Sequence, residues 1–459
     1  MTARRQLNLN LFLYGTGHHE ASWRHPWARP EELFTAGYYQ GLARRAEDAL
    51  LDAVFFADVP ALGRNIAHGA AGHVEPLTTL ASIAAVTSRI GLIATASTTF
   101  YEPYNLARLF SSLDHLSSGR AGWNIVTTGS DAAAGNFGLD SLPDAPTRYA
   151  RGAEFVDAVT RLWDSWEDDA VVGDIFSGTY ADTTRIHDAA LRGEHLAVAG
   201  AFTAPRSPQG HPVLVQAGSS DEGRGFAARH AEAIFTAHQR LEDGLAFATD
   251  IRARAAALGR NPAHVKILPG ISPIIGSTEA EARALAEELN ALTVPAYGIQ
   301  QLEGLTGARF DEADLDRPVP LGAFAGAGDV TSNTRSRLQV VAGIVERERP
   351  TLRELLHRLA GARGHRVVAG TAEQIAATIE EWFVAGAADG FNVMPPVLPA
   401  GLDAFVDEVV PILQERGLFR TAYTGTTLRE HYGLPRPDSR FAVARAEGAD
   451  VDDTAAAVA

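Results

Sequence analysis

The sequence predicts an α/β protein, a (β/α)8 TIM barrel with insertions. Three observations carry that expectation. Eight short β-branched or aromatic runs recur along the chain, and amphipathic stretches of helical period lie between them, the alternation of βα units on a parallel sheet. Apolar residues make up 46% of the chain and charged ones 21%, the balance of a globular protein with a sizeable core. The length, 459 residues, suits one barrel enlarged by insertions. An open doubly wound sheet is the alternative, and eight strands with these crossovers favour closure.

In chain order the predicted strands are Leu7–Tyr14, Ala53–Ala57, Ile90–Ser97, Ala121–Thr127, Val213–Gln216, Ala233–Thr236, Val265–Ile275 and Phe391–Met394. Helical periodicity falls at Thr35–Leu50, Pro76–Thr87, Pro103–Leu116, Arg148–Trp166, Glu222–His230, Asp243–Leu258, Glu279–Leu292 and Thr371–Ala385, with Leu402–Arg416 closing the fold. Pro103 at a first turn and Thr371 two residues before Glu373 are helix-start signals. Two stretches break the spacing and read as insertions, about 167–211 and 293–349. The first carries strand-like pieces such as His195–Val198. The second is rich in glycine, with Gly304, Gly307, Gly322, Gly326 and Gly328, and reads as a mobile lid or as a disordered surface loop. One domain therefore spans 1–438, and the tail 439–459, through Asp450–Thr454 into alanines, reads as frayed.

Composition excludes several chemistries. The chain has no cysteine, which removes disulfides, thiolate nucleophiles and cysteine-ligated zinc or iron–sulfur clusters. Lys266 is the single lysine and stands near the start of a strand, away from the catalytic end of a barrel, so Schiff-base and P-loop chemistry find no residue. A formal charge of −16 disfavours nucleic-acid binding. The most apolar region, Leu77–Ser97, is broken by Arg89 and changes period, so no membrane span is expected. Met1–Gln6 lacks a signal-peptide pattern, and a cytoplasmic location is the expectation. His18, His19 and His25 cluster after the first strand, but not at the spacing of a helical metal pair, and no metal site is expected.

A barrel does its chemistry at the strand C-terminal ends, so polar residues closing apolar runs are the candidates. Asp58 follows Val54-Phe55-Phe56-Ala57 and reads either as a hydrogen-bond acceptor for a ligand or as a loop cap. Thr95, Ser97, Thr98 and Thr99 close the third strand, where threonine is also an ordinary strand residue. Asn124, beside Trp123 within the fourth strand, is either a ligand-bonding amide or a satisfied core amide. Gln216-Ala217-Gly218-Ser219-Ser220 runs from a strand through a glycine turn into a helix, a geometry that presents backbone N–H groups and the helix dipole to an anion. Ser219 and Ser220 could add hydroxyl donors to a phosphate, and Ser220 equally fits a plain N-cap.

Ordered motifs along nearly the whole chain resemble the nitrilotriacetate and dibenzothiophene-sulfone monooxygenase group of the bacterial luciferase-like superfamily. They are Ser22-Trp23-Arg24-His25, Phe55-Phe56-Ala57-Asp58, Leu113-Asp114-His115-Leu116-Ser117-Ser118-Gly119-Arg120, Trp123-Asn124-Ile125-Val126-Thr127, Asn136-Phe137-Gly138, Arg148-Tyr149, Leu162-Trp163, Arg206-Ser207-Pro208-Gln209-Gly210, Gln216-Ala217-Gly218 with Ser220, Ala388-Asp389-Gly390-Phe391, Val410-Pro411 and Arg416-Gly417. The resemblance implies FMN at the strand ends, its phosphate at Ser219-Ser220 and its ring near Asp58, Thr95, Ser97 and Asn124. It adds Tyr149 and Thr128 as flavin contacts, and it places His18 toward the reaction centre as the candidate catalytic residue. The group often carries a histidine four residues before the tyrosine, where this chain has Ala145.

The reaction implied is that of a two-component monooxygenase. Reduced FMN, delivered by a separate NAD(P)H-dependent flavin reductase, reacts with O2 to a flavin 4a-hydroperoxide that passes one oxygen atom to a small organic substrate. The protein then has to orient the ring and exclude water. A homodimer or homotetramer is the expected assembly. The alternatives are a deazaflavin-dependent oxidoreductase on the same barrel and a non-catalytic flavin-binding protein.

Overall fold

A computed structural model of the chain describes residues 5–62, 66–69, 74–324 and 332–446. Its central sheet contains β1 (Asn8–Leu13), β2 (Ala53–Phe56), β3 (Gly91–Ser97), β4 (Ala121–Val126), β5 (Val213–Gln216), β6 (Ala233–Thr236), β7 (Lys266–Ile275), β8 (Arg366–Gly370) and β9 (Gly390–Val393). Strands β1 to β7 follow one another around the ring, β7 pairs with β9, and β9 returns to β1, all in parallel. The eight-stranded barrel is therefore closed, and each of the eight predicted strands is part of it. β8 is additional: it pairs with Ile271–Ile275, the outer half of β7. Its exposed or half-buried Arg366–Ala369 gave no continuous apolar signal.

Helices occupy the connections: α1 (Ala36–Asp48), α2 (Pro76–Ala84), α3 (Pro103–Leu116), α4 (Ala145–Asp164), α5 (Asp221–His230), α6 (Leu241–Ala257), α7 (Glu279–Ala291), α8 (Pro295–Thr306), α9 (Ser332–Glu348), α10 (Leu352–Ala362) and α11 (Ala372–Ala385). α3 shows the logic. Pro103 occupies its first turn, where no N–H is needed, and Leu106, Phe110 and Leu113 fall on one buried face. Burying Phe110 alone is worth about 2–3 kcal/mol. None of the described helices is long and apolar enough to cross a membrane.

Alternation along the strands sorts side chains into two cores. Leu9, Leu11, Val54, Phe56, Leu92 and Trp123 face outward and pack with the helices. Phe12, Phe55, Ile93, Val215, Leu268 and Met394 belong to a second cluster that fills the barrel. The barrel's N-terminal end is sealed by the segment after Arg420. Leu428 and Tyr432 join the inner cluster, and a Cβ added at Gly91 would lie 2.5 Å from the Leu428 Cδ1. Glycine at that strand start is what leaves room for the seal.

Both insertions differ from expectation in detail. The first forms two small hairpins, Val171–Asp174 with Thr179–Ala181 and Leu191–Arg192 with Ala197–Val198, so the strand expected over His195–Val198 is confined to its last two residues. The second, expected to be a glycine-rich lid or loop, is mainly helical. Ile299 and Leu302 of α8 and Val341, Ile344 and Val345 of α9 share an apolar cluster with Leu352, Leu355 and Leu356 of α10. Gly304 sits inside α8, and Gly307 ends it at φ 70°. Gly326 and Gly328 lie outside the described residues. Beyond Ser439, where fraying was expected, Arg440–Ala446 is a helix, and Arg440 Nη1 donates to Asp157 Oδ1 at 2.9 Å. Asp450–Thr454 and the alanines lie outside the described residues.

Candidate active site

The C-terminal mouth of the barrel gathers polar groups on β3 and β4. Thr95 and Asn124 are register partners, and the Asn124 Nδ2 donates to Thr95 Oγ1 at 2.8 Å. That hydroxyl in turn donates to the Phe56 carbonyl at 2.7 Å. The amide's donor side is thus anchored, while its buried Oδ1 has no partner among the described residues. One pleat further out, the Thr128 and Ser97 hydroxyls meet at 2.6 Å, and Ser97 Oγ accepts from the Thr99 N–H at 3.1 Å. Thr128 has φ 37°, a left-handed conformation that branched residues rarely adopt. Thr95, Ser97 and Asn124, nominated as polar strand residues, and Thr128, which the resemblance added, lie together.

The turn from β5 into α5 forms the next wall. Ser220 caps α5, its Oγ accepting from the Gly223 N–H at 3.1 Å, so the N-cap reading holds and the serine is held at the helix start. Ser219, Gly218 and Arg224 line a cavity of about 710 Å³. A Cβ at Gly223 would lie 3.2 Å from both Ser220 Oγ and Tyr149 Oη, which brings the tyrosine of α4 to the same turn. The acidic Asp221 of this first helical turn is engaged by Arg254 at 2.6 Å. Donors and a helix N-terminus therefore converge at Ser219-Ser220.

His18 lies buried against the rings of Phe12, at 4.6 Å, and Tyr14, at 5.6 Å. Burial first, and then the positive charge of Arg363, hold its imidazole well below the usual range, so it is neutral at pH 7. Its Nε2 lies 2.8 Å from the Phe12 carbonyl. A carbonyl only accepts, so Nε2 carries the hydrogen and Nδ1 the lone pair. Nδ1 has no partner among the described residues. His18 can accept a hydrogen bond or a proton there; it has none to give. Asp58, half-buried after β2, bears electrostatically on the Tyr101 hydroxyl. His19 contacts Asn290 at 3.3 Å and His25 contacts Glu288 at 3.5 Å, both on α7, whereas His18 is turned to the Phe12 carbonyl.

Several mouth residues escaped the sequence reading. Phe12, Phe55 and Phe235 form an aromatic floor with centroids 4.7–5.6 Å apart, and His365 stacks on Phe235 at 4.8 Å. Period-2 alternation could have nominated the phenylalanines. His365 and its neighbour Arg363 follow α10 in a stretch that carried no predicted element, and nothing local marked them.

Closed barrel, polar mouth and sealed base define an enzyme whose chemistry is set at the strand C-terminal ends. The family model described as luciferase-like monooxygenase matches residues 15–389. The chain belongs to that family, and the enzyme class that goes with membership is flavin-dependent monooxygenase. It is 46% identical to N-acetyl-S-(2-succino)cysteine monooxygenase of Bacillus subtilis, over 96% of this chain and 99% of the relative. Nitrilotriacetate monooxygenase component A of Aminobacter aminovorans is 43% identical over 96% and 99% of the two chains. Among solved structures, a riboflavin lyase with modified FMN and riboflavin superposes with a TM-score of 0.83 at 32% identity, covering 94% of this chain and 97% of that one. An F420-dependent secondary alcohol dehydrogenase matches with a TM-score of 0.55 at 15% identity, covering 88% and 98%, and shares the fold alone.

Proposed function

We propose that this protein is the oxygenase of a two-component system, using reduced FMN and O2 to insert one oxygen atom into a small organic substrate. The observation that carries the reading is the convergence, at one barrel mouth, of a serine-lined helix start and an anchored amide whose buried oxygen lacks a partner. An unsatisfied buried acceptor costs about 1–3 kcal/mol and fits a site that a ligand's N–H completes. The residues fit a flavin mononucleotide: Ser219, Ser220, the first-turn N–H groups of α5 and Tyr149 suit a phosphate, while Asn124, Thr95, Ser97, Thr128 and Asp58 suit a polar ring edge and ribityl chain. Reduced FMN held there would supply the electrons and the oxygen activation.

The chain's own part is to orient and to exclude water. The aromatic floor of Phe12, Phe55 and Phe235 keeps the base of the site apolar, and His18 Nδ1 accepts a hydrogen from whatever polar group lies over it. One atom of O2 enters the substrate and the other leaves as water, the two electrons coming from the reduced cofactor. A separate NAD(P)H-dependent reductase supplies that cofactor, in keeping with a relative named as component A. We place the enzyme in the cytoplasm as a homodimer or homotetramer. The helices α8 and α9 over the mouth serve as its lid.

Anaerobic titration of the protein with reduced FMN, followed by stopped-flow mixing with oxygenated buffer, tests the reading. The expected result is saturable binding, reoxidation slower than that of free reduced FMN, and binding weakened about tenfold by Ser220→Ala, the ~1.4 kcal/mol of a lost hydrogen bond. Absence of binding, or reoxidation at the free rate, would overturn it and turn attention to a deazaflavin.

A further inference from the structure

A second cavity of about 510 Å³ opens beside the first, bounded by the loop after β1 and by α8 and α10. Arg363 and Leu305 line both cavities, so this arginine stands at the throat between them. Its backbone is unusual. Arg363 ends α10 at φ 52°, its N–H donating to the Leu359 carbonyl at 2.9 Å, in the position where helices favour glycine. A non-glycine residue there carries strain of about 1 kcal/mol, which marks a side chain kept for a purpose.

The guanidinium is held by a ring. Its carbon lies 3.5 Å from the centroid of Tyr14, a face contact that fixes the plane and leaves the edge donors free to bond. Among the described residues no carboxylate lies within ion-pairing distance of it, whereas Arg224, in the same wall, is paired with Asp250 at 3.2 Å. The acid nearest in kind, Glu20, lines the smaller cavity, and burial raises its carboxyl to about 7, so it is largely proton-bearing below neutrality and leaves the arginine's charge uncompensated. The rest of the smaller cavity is amphipathic, its lining mixing Leu302, Leu356 and Leu359 with Tyr297, Gln300 and Gln301. Its volume suits a small organic molecule.

We infer that Arg363 is the anion-recognising residue of the substrate site, and that the substrate is a small organic acid whose carboxylate or sulfonate docks at this throat with its body in the cavity under α8 and α10. The inference rests on the monooxygenase reading for the identity of the neighbouring cavity as the cofactor's. A guanidinium fork pairs with a carboxylate in two parallel hydrogen bonds, and a neutral ester of the same skeleton cannot reproduce them.

Calorimetry decides the matter with a panel of carboxylates and sulfonates of about four to ten carbons, each beside its methyl ester, on protein saturated anaerobically with reduced FMN and on protein alone. Wild type is expected to prefer at least one acid over its ester by tenfold or more, and the carboxylate and sulfonate arms identify the anion. Arg363→Gly, whose backbone tolerates φ 52° without strain, is expected to melt no lower than wild type and to lose the preference. Arg363→Lys is expected to keep part of it, and reduced-FMN affinity should stay within twofold in both variants. No acid preference in wild type, or a preference surviving in Arg363→Gly, overturns the inference. Weakened FMN binding with an intact preference also overturns it and assigns Arg363 to the cofactor. Failure of wild type to bind reduced FMN sinks the monooxygenase reading instead, and the acid–ester comparison on the protein alone still judges Arg363.

Discussion

The two ends of the barrel are built to opposite rules. At the sealed base, two polar sets are closed within the chain. Asn8 Nδ2 donates to Asp52 and to the His431 carbonyl, both at 3.1 Å, and Arg429 clasps Glu232 through bonds of 2.7 and 2.9 Å while donating to the His211 carbonyl at 3.0 Å. At the mouth, Asn124 Oδ1, His18 Nδ1 and Ser272 Oγ are buried without partners among the described residues. The base is where the fold gains stability, and the mouth is where it forgoes some, which is how a barrel separates scaffold from site.

Removing one clasp at the base should produce the largest effect. Burial alone would raise the Glu232 carboxyl, and the Arg429 guanidinium, with the Leu214 N–H and His211, holds that group below the usual carboxylate range. Arg429→Ala strands the acid and the His211 carbonyl together, with an expected loss of about 2–4 kcal/mol. A urea midpoint shift measures it. Reduced-FMN affinity under native conditions should not change, since the clasp is at the opposite end from the mouth; a large drop in affinity would erase the division between the two ends.

That division also explains what was legible in the sequence. Strand alternation and the residues that close each strand follow from local spacing, so Thr95, Ser97, Asn124 and the Ser219-Ser220 turn could be nominated and are found at the mouth. Tyr149 and Thr128 needed the family resemblance, because a tyrosine on a helix and a threonine after a strand have no local mark. The place of Arg363 and His365 at the mouth depends on how α8, α9 and α10 pack, and Gly304 and Gly307 made the α8 stretch look like loop. Their packing depends on Leu302 meeting Leu355 and Leu356 across half a hundred positions, a pairing that periodicity within one segment does not reveal.

Glu20 sharpens the contrast from the mouth side. Its carboxyl is raised from 4.5 to about 7 by burial, against the pull of Arg363. Between those values the unfolded chain has lost the proton that the folded chain retains, so stability falls as pH rises from about 4.5 to 7. The expected loss is about 1–3 kcal/mol, discounted for partial exposure. Urea midpoints at pH 5 and 7.5 check it. In Glu20→Gln the decline should flatten by that amount, and a variant that declines as steeply as wild type would show that Glu20 is no burden on the fold.

The finest comparison sets two asparagines against each other, both in the barrel wall and both almost fully buried. Asn10, toward the base, donates to Asn392 Oδ1 at 3.0 Å and accepts from the Tyr432 hydroxyl at 2.9 Å. Asn124, at the mouth, has its donor side bonded and its acceptor side bare. Leucine repeats the branching of asparagine at Cγ but is the larger side chain, and because the same change is made at both sites the comparison between them isolates the hydrogen bonds. Asn10→Leu leaves the Asn392 Oδ1 and the Tyr432 hydroxyl without their Asn10 bonds, while Asn392 Nδ2 still donates to the Leu268 carbonyl, and should cost about 1–2 kcal/mol. In Asn124→Leu the Thr95 hydroxyl keeps its bond to the Phe56 carbonyl and an unpaired oxygen disappears, so the thermal midpoint should hold or rise slightly. Reduced-FMN binding should respond in the reverse order, weakened about tenfold by Asn124→Leu and little by Asn10→Leu. Equal destabilisation by the two changes would mean that the Asn124 oxygen is satisfied within the folded chain and that the mouth is no less complete than the base.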